Sequence, residues 1–203
     1  MKLFDYDGPL MTVLRKLLSV LLAGVLFLLC CIPVFTAGAS FAALYDVTER
    51  SLKDSRGYVV NGFFDSLKEN WRQTLPAGAV FALVFFVFEW DVYLLKLFLE
   101  NGRAIGNFYV IIRVLEVLVL LYAVWVFSQI SRFRNTLKQI LKNALLLSIR
   151  HLGASFCVLL LLVFGAVVMW IVPVSALFMP VVVTWLMTAV LDPVFEKYKE
   201  DGR

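Results

Sequence analysis

Charged side chains are scarce in this chain, and their scarcity excludes an ordinary water-soluble domain. Only 17% of the 203 residues are charged, 62% are hydrophobic, and the mean hydropathy is +0.87. A soluble domain carries about 25% charged residues and about half apolar ones. The composition therefore predicts an integral membrane protein, with residues 1–203 forming a single membrane domain and leaving no room for a separate soluble enzyme.

Cysteine and histidine are also rare, and this argues against redox and metal chemistry. Cys30, Cys31 and Cys157 all lie within apolar runs, without a C-x-x-C pair, and the single histidine is His151. No disulfide framework or zinc ligand set follows from such spacing. The chain also lacks a glycine-rich phosphate loop, an H-E-x-x-H pair and a G-x-S-x-G elbow. We therefore expect no catalytic residue, no cofactor and no metal, and a protein that is not an enzyme.

Long apolar runs are what the chain does have, and they predict an all-α fold. In lipid, every backbone polar group must be paired within its own segment, which favours helices. The run from Leu152 almost to Leu191 is too long for one crossing, so it should break at Pro173 and Pro180. The prediction is a polytopic helical bundle of about five transmembrane helices, at residues 17–34, 75–99, 108–130, 152–172 and 180–195.

Two stretches between the spans have one apolar and one basic face. In residues 61–74, Phe63, Leu67 and Trp71 recur every four residues, and residues 132–149 carry a similar stripe. Such helices lie along the membrane surface or pack on the inner ends of the spans, and the two arrangements are compatible. We expect both stretches to be cytoplasmic amphipathic interfacial helices.

Basic residues indicate the orientation, because loops rich in Lys and Arg stay in the cytoplasm. They gather after the first span, after the third and at the C-terminus: Arg50, Lys53, Arg56, Lys68, Arg72; Arg132, Arg134, Lys138, Lys142, Arg150; Lys197, Lys199, Arg203. Both amphipathic stretches and the C-terminus are thus predicted to be cytoplasmic, in a multi-pass cell-membrane protein. Five spans place the N-terminus outside, whereas a Thr36–Tyr45 stretch that dips back into the membrane would place it inside. Because topology explains the basic loops, they do not imply nucleic acid.

Small residues follow the first span. Pro33 is expected to end or bend that span, and Thr36 to cap the helical turns that follow. The pairs Gly38 and Ala42, and Ala39 and Ala43, have small-xxx-small spacing, which lets helix backbones approach closely. The candidate helix-packing or interface residues are therefore Pro33, Gly38, Ala39, Ala42, Ala43, Phe63, Leu67 and Trp71.

Four ionisable residues inside predicted spans form a candidate polar cluster: Glu89, Asp91, Arg113 and Glu116. Charges within a membrane are functional candidates, because each costs about 2.5–3.5 kcal/mol to insert. If the second and third spans form a hairpin, the four side chains can meet. They would then either line an outward-facing cavity or form a salt bridge that fastens two helices, and Glu116 would lie deepest.

Three stretches resemble the YesL-like family of bacterial membrane proteins. They are Ile32–Tyr45 after the first span, Phe63–Trp71 with its double aromatic and Lys-x-Asn-aromatic pattern, and the closing segment Leu191–Tyr198. One departure is Ala39, where many relatives are expected to have proline. The family is a domain of unknown function without defined catalytic residues.

The resemblance implies a role beside carbohydrate-uptake permeases. The hypothesis is a non-enzymatic accessory or stabilising factor, with the lipid bilayer and either sugar permease subunits or a second copy of itself as partners. The alternative is a small autonomous transporter or channel that uses the intramembrane polar cluster. An intramembrane enzyme is the least favoured interpretation, since it would need convergent polar groups that the sequence does not show.

Overall fold

The computed structural model describes residues 9–53, 59–101 and 107–200, and almost all of them are helical. Seven α-helices occur in this part of the chain: α1 (Pro9–Cys31), α2 (Ala37–Val47), α3 (Val59–Glu100), α4 (Tyr109–Arg132), α5 (Leu137–Arg150), α6 (Leu152–Ile171) and α7 (Met179–Glu200). The all-α helical bundle expected from the sequence is confirmed. Arg56 and Arg203, which contribute to the predicted orientation, lie outside the described residues.

The first predicted span ends early, at a break around Pro33. Helix α1 ends at Cys31, and a short 3₁₀ turn over Val34–Thr36 leads into α2. The Thr36 hydroxyl donates to the carbonyl oxygens of Cys30 (2.6 Å) and Pro33 (2.8 Å). Thr36 does occupy the N-cap position of α2, but its side chain makes no capping hydrogen bond there. The expected cap is thus wrong in detail: the hydroxyl stabilises the broken turn behind it rather than the helix ahead of it.

Helix α2 is the most deeply buried element of the fold. Nine of its residues are buried, and it packs mainly against α3 and α4. A Cβ atom added to Gly38 would lie 2.1 Å from Cζ of Phe127 on α4. A Cβ on Gly78 of α3 would lie 2.5 Å from the carbonyl oxygen of Phe35, just before α2. Small residues on both sides therefore let α2 lie in close contact with its neighbours.

Helix α3 joins two elements that the sequence predicted separately. It is continuous over 42 residues, with Pro76 inside it, and so includes both the amphipathic stretch 61–74 and the span 75–99. At 1.5 Å per residue it is about 63 Å long, about twice the thickness of the hydrocarbon layer. The stretch 61–74 is thus part of a longer helix and not a helix of its own. That stretch continues the axis of the span, and it buries Phe63 and Ser66 within the bundle.

Two pairs of helices are antiparallel: α3 with α4, and α6 with α7. Contacts from Arg113 to Glu89 and from Arg134 to Glu69 show that α3 and α4 run in opposite directions. In the same way, α6 and α7 meet near Gly165 and Val183 and again at His151 and Tyr198. Arg132 at the end of α4 pairs with Asp192 of α7, so the start of α3, the end of α4, the start of α6 and the end of α7 lie at one end of the bundle.

Prolines and a capping box set the boundaries in the second half of the chain. Helix α6 ends at Ile171, a 3₁₀ turn spans Pro173–Leu177, and α7 begins at Met179 with Pro180 in its first turn. Helix α5 begins with a Thr136–Gln139 capping box, so it starts several residues later than the predicted stretch 132–149.

Four helices in the described part of the chain are long and apolar enough to cross a membrane: α3, α4, α6 and the Met179–Tyr198 part of α7. Such lengths are typical of a multi-pass membrane protein whose apolar helices contact lipid. The apolar part of α1, Leu17–Cys31, is shorter than these four. The first of the five predicted spans corresponds to the second half of α1, a helix of 23 residues that the buried α2 follows.

Candidate functional site

Three of the four charged residues predicted from the sequence form one cluster, in which Arg113 contacts both Glu89 and Glu116. Its guanidinium donates to both carboxylate oxygens of Glu89 (2.7 and 3.0 Å) and to Oε2 of Glu116 (2.5 Å). The Glu116 contact joins residues three apart on α4, whereas the Glu89 contact crosses to α3. We name Glu89, Arg113 and Glu116 the hairpin clamp, because they fasten α3 to α4.

The hairpin clamp lies mostly on the outside of the bundle. The Glu89 side chain is 61% exposed and that of Arg113 is 40% exposed, but that of Glu116 is only 10% exposed. Oε1 of Glu116 is buried and has no hydrogen-bond partner among the described residues. Asp91, the fourth predicted member, makes no ion pair in the part of the chain that the structure describes. The arrangement can hold two helices together, and it leaves one carboxylate oxygen of Glu116 available.

The small-residue segment is used inside the protein. Gly38, Ala39, Ala42 and Ala43 are all buried within the bundle. Pro33 is exposed at the break before α2. These small side chains therefore contact the chain's own helices rather than a free outer surface.

The predicted apolar stripe on residues 61–74 is divided between the core and the surface. Phe63 is fully buried, Leu67 is half-buried and Trp71 is exposed. Only the Trp71 end of this stripe is thus available to lipid or to another protein.

A second charged cluster, which the sequence did not predict, lies beside α2. Arg132 at the end of α4 pairs with Asp192 of α7 (2.5 Å) and with Glu49, which lies in the π-helical turn Thr48–Lys53. The Tyr45 hydroxyl donates to the same Asp192 carboxylate (2.9 Å), and the Arg132 guanidinium lies 5.8 Å from the centre of the Tyr45 ring. We name Tyr45, Glu49, Arg132 and Asp192 the central polar cluster. It connects the chain around α2 to the ends of α4 and α7.

Burial controls the ionisation of two side chains at the end of α2. The pKa of Tyr45 is raised, because its hydroxyl is buried and lies beside the Asp192 carboxylate. Burial also raises the pKa of Asp46, although the Arg50 guanidinium 2.7 Å away and a hydrogen bond from Ser66 favour its ionised form. Tyr45 is therefore a neutral hydrogen-bond donor at all ordinary pH values, as a structural role requires.

Distance along the chain explains why sequence reasoning missed this cluster. Tyr45 and Asp192 are 147 positions apart, and no local spacing relates them. The only available signal was that Tyr45 and Asp192 both lie in stretches that carry the family resemblance. Taken together, those two stretches could have suggested a contact.

Two cavities accompany these clusters. One, of about 380 Å³, is almost entirely apolar and lies between the start of α2, α3 and α4, where Gly38, Phe81 and Phe127 line it. The other, of about 830 Å³, lies at the end of the bundle between α4, α5 and the end of α7. Within the described ranges, no group of three or more His, Cys, Asp or Glu residues could hold a metal ion.

Comparison with known proteins identifies one segment. Residues 20–92 match a family model described as "Protein of unknown function, DUF624". No curated protein and no solved structure matches the chain. The match extends from α1 through α2 to Val92 of α3, and the YesL-like resemblance of the sequence is consistent with it. The matched segment includes Tyr45 and Glu49 of the central polar cluster, and Glu89 of the hairpin clamp.

Proposed function

We propose that this protein with a DUF624 segment is a non-enzymatic membrane protein that binds and stabilises a permease of a carbohydrate uptake system. The carbohydrate link comes from the family resemblance, which implies a place beside sugar permeases. The matched segment over residues 20–92 supports the family but assigns it no activity. The structure contributes a surface through which such a protein could bind a membrane partner.

The observation that carries this proposal is the exposed surface of the α3–α4 hairpin near the connection between the two helices. Phe86, Trp90 and Tyr93 form a row of neighbouring rings on α3, with centroids 6.4 and 6.2 Å apart, and all three are more than half exposed. On α4, Val110, Ile111 and Val114 are similarly exposed. No other described helix covers these faces, and the hairpin clamp holds the two helices together. A paired, apolar and aromatic hairpin offers one continuous face to lipid or to the helices of another membrane protein.

The charged groups also suit a binding protein better than a conduit. Arg113 and Arg132 each contact two carboxylates, so their charges are neutralised within the fold. Ions paired in this way stabilise helix contacts and are poor at carrying a substrate. With a basic end facing the cytoplasm, the C-terminus would be cytoplasmic and the hairpin tip would be outside.

Complementation of a deletion strain tests the proposal. Deletion should lower both the amount of the sugar permease in the membrane and the rate of sugar uptake. Restoring the wild-type chain should correct both, whereas a Phe86→Ala, Trp90→Ala double variant should not. Phe164→Ala is the matched control, because Phe164 on α6 is 56% exposed, as Trp90 is, but lies away from the hairpin. Unchanged uptake and permease abundance in the deletion strain would contradict the accessory role.

One observation favours the alternative of a small autonomous transporter or channel. Oε1 of Glu116 is buried and unpaired among the described residues, as a carboxylate that binds and releases a proton or cation could be. In the same strain, Glu116→Gln separates the two functions. An accessory factor should tolerate this change if the chain is still inserted at normal amounts. A transporter should lose uptake while the permease stays at its normal abundance.

A further inference from the structure

An open groove of about 830 Å³ lies at the end of the bundle that holds the central polar cluster. We name it the end groove. Helix α4 contributes Gln129, α5 contributes Asn143, Leu146, Ile149 and Arg150, and α7 contributes Tyr198. The lining is therefore mixed, with polar and apolar side chains. None of the acidic residues of the described chain lines it.

Gln129 gives the end groove an unused hydrogen-bond donor. The side chain is 2% exposed, and its Nε2 atom has no hydrogen-bond partner within the described ranges. A buried donor of this kind lowers stability unless an acceptor reaches it. The carboxamide therefore favours a ligand that carries acceptor oxygens.

Arg150 gives the same groove a positive charge. Its guanidinium lies 5.5 Å from the centre of the Tyr198 ring, and no carboxylate pairs with it in the part of the chain described. The Tyr198 hydroxyl lies 3.2 Å from Nε2 of His151, and this contact holds the ring against α6. A guanidinium that pairs with no carboxylate among the described residues favours an anion, and the flat, multidentate donor set of arginine suits a phosphate.

The apolar residues of the groove continue onto a helix that is long enough to cross a membrane. Leu146 and Ile149 are 57% and 62% exposed, and the exposed apolar row continues along the chain into Leu152 and Phe156 at the start of α6. Helix α6 is one of the helices long enough to cross the membrane. A molecule that entered the groove from the bilayer could keep its hydrocarbon against this row while its headgroup met Gln129 and Arg150.

We propose that the end groove is a binding site for an anionic phospholipid. The phosphate accepts hydrogen bonds from Arg150, glycerol or headgroup oxygens accept from the Gln129 carboxamide, and the acyl chains lie against Leu146 and Ile149. The inference is independent of the proposed function, since it concerns a different surface and needs no permease. It predicts that the fold is more stable in a membrane rich in such lipids.

Native mass spectrometry of the full chain in neutral detergent tests the site. The chain is titrated with phosphatidylglycerol, with phosphatidylcholine and with inorganic phosphate as separate probes. We expect tight one-to-one binding of phosphatidylglycerol and much weaker binding of phosphatidylcholine. Arg150→Gln should weaken phosphatidylglycerol about tenfold, the loss expected for one charge-assisted hydrogen bond. Lys142→Gln should have little effect, since it removes the same charge from an exposed position on α5 that does not line the groove.

A second variant separates binding from folding. Gln129→Leu removes the unpaired donor but keeps the volume of the side chain, so without lipid its melting temperature should equal or exceed that of the wild type. Added phosphatidylglycerol should raise the melting temperature of the wild type more than that of this variant. Equal weakening by Arg150→Gln and Lys142→Gln would overturn the proposal, because it would indicate unspecific attraction. Equal binding of phosphatidylcholine, or binding of inorganic phosphate as tight as that of the lipid, would overturn it too.

Discussion

At the scale of single residues, close packing around α2 depends on a glycine that leaves room for a neighbouring ring. Gly38 lies against the Phe127 ring, and the ring occupies the space that any larger residue at position 38 would need. Phe127 itself is buried and contacts Phe81 on α3, with ring centroids 5.7 Å apart. The ring therefore has little room to move away.

Gly38→Ala should therefore destabilise the protein. Overpacking of this kind costs about 1–3 kcal/mol, which lowers the melting temperature of a chain of this size by several degrees. Thermal melts of the detergent-solubilised protein measure the change. Gly153→Ala is the matched control, because a Cβ atom there meets nothing within 4 Å. Equal melting temperatures for the two variants would contradict the packing described around α2.

The pH dependence of stability provides a test at Asp46. Burial raises the pKa of this carboxyl in the folded protein, so folding favours its protonated form. The stability that Asp46 contributes is thus present at low pH and is lost as the pH rises through the raised pKa. Asn resembles the protonated acid, so Asp46→Asn should gain stability relative to the wild type between acidic and neutral pH. Melting temperatures of both proteins across that range check the sign. If the melting temperature of the variant fell relative to that of the wild type as the pH rises, the Arg50 pair would outweigh burial.

At the scale of helices, the continuity of α3 decides how the amphipathic stretch lies. Its hydrophobic spacing correctly predicts a helix with Phe63 on an apolar face, but spacing says nothing about where the axis points. Helix α3 continues through Pro76, because proline removes only one backbone donor and the neighbouring turns keep their hydrogen bonds. The long helix therefore places Glu69 at the end of the bundle, where it pairs with Arg134.

Distance measurement between spin labels tests this continuity. With cysteines at Asp65 and Val87, in a background without the native cysteines, a straight helix places the two sites about 33 Å apart. If the stretch before Pro76 were turned onto the membrane surface, the distance would be about 23 Å. Labels at Val80 and Leu97 lie within the span, so they should be about 26 Å apart in either case. The short distance for the first pair alone would contradict a continuous α3.

The sequence revealed elements better than it revealed their assembly. Apolar length predicted helices where α4, α6 and α7 occur, with bounds within about five residues of those observed, and Pro173 marked the break between α6 and α7, because apolar length and proline act locally. Glu89, Arg113 and Glu116 could be grouped because a hairpin brings them together. Tyr45 and Asp192 could not be paired, since only the packing of α2 against α7 brings them into contact.

At the scale of the whole molecule, the central polar cluster joins elements from the two ends of the chain. Arg132 contacts Glu49 near the start and Asp192 near the end, so one side chain fixes the closure of the bundle around α2. Both acidic groups and the guanidinium are at least three-quarters buried. The cluster should therefore matter for stability more than the exposed ion pairs do.

Removal of the Arg132 charge should strongly destabilise the fold. Arg132→Gln leaves two carboxylates facing each other, a loss of about 3 kcal/mol for a buried pair broken on one side. Adding Asp192→Asn should cost less than the sum of the single changes, because it removes one of the uncompensated charges. Melting temperatures of the single and double variants measure the coupling. Strictly additive effects would show that Arg132 and Asp192 do not act together.

The most direct test of the account is purification of the tagged protein from its own membranes in mild detergent. Mass spectrometry then identifies the membrane proteins that remain bound, and their amounts are compared with that of the tagged chain. An accessory factor should recover a sugar permease subunit in near-equal amount, and the Phe86→Ala, Trp90→Ala variant should lose it. Recovery of the chain alone, or only with further copies of itself, would contradict the accessory role and favour an autonomous transporter that depends on Glu116.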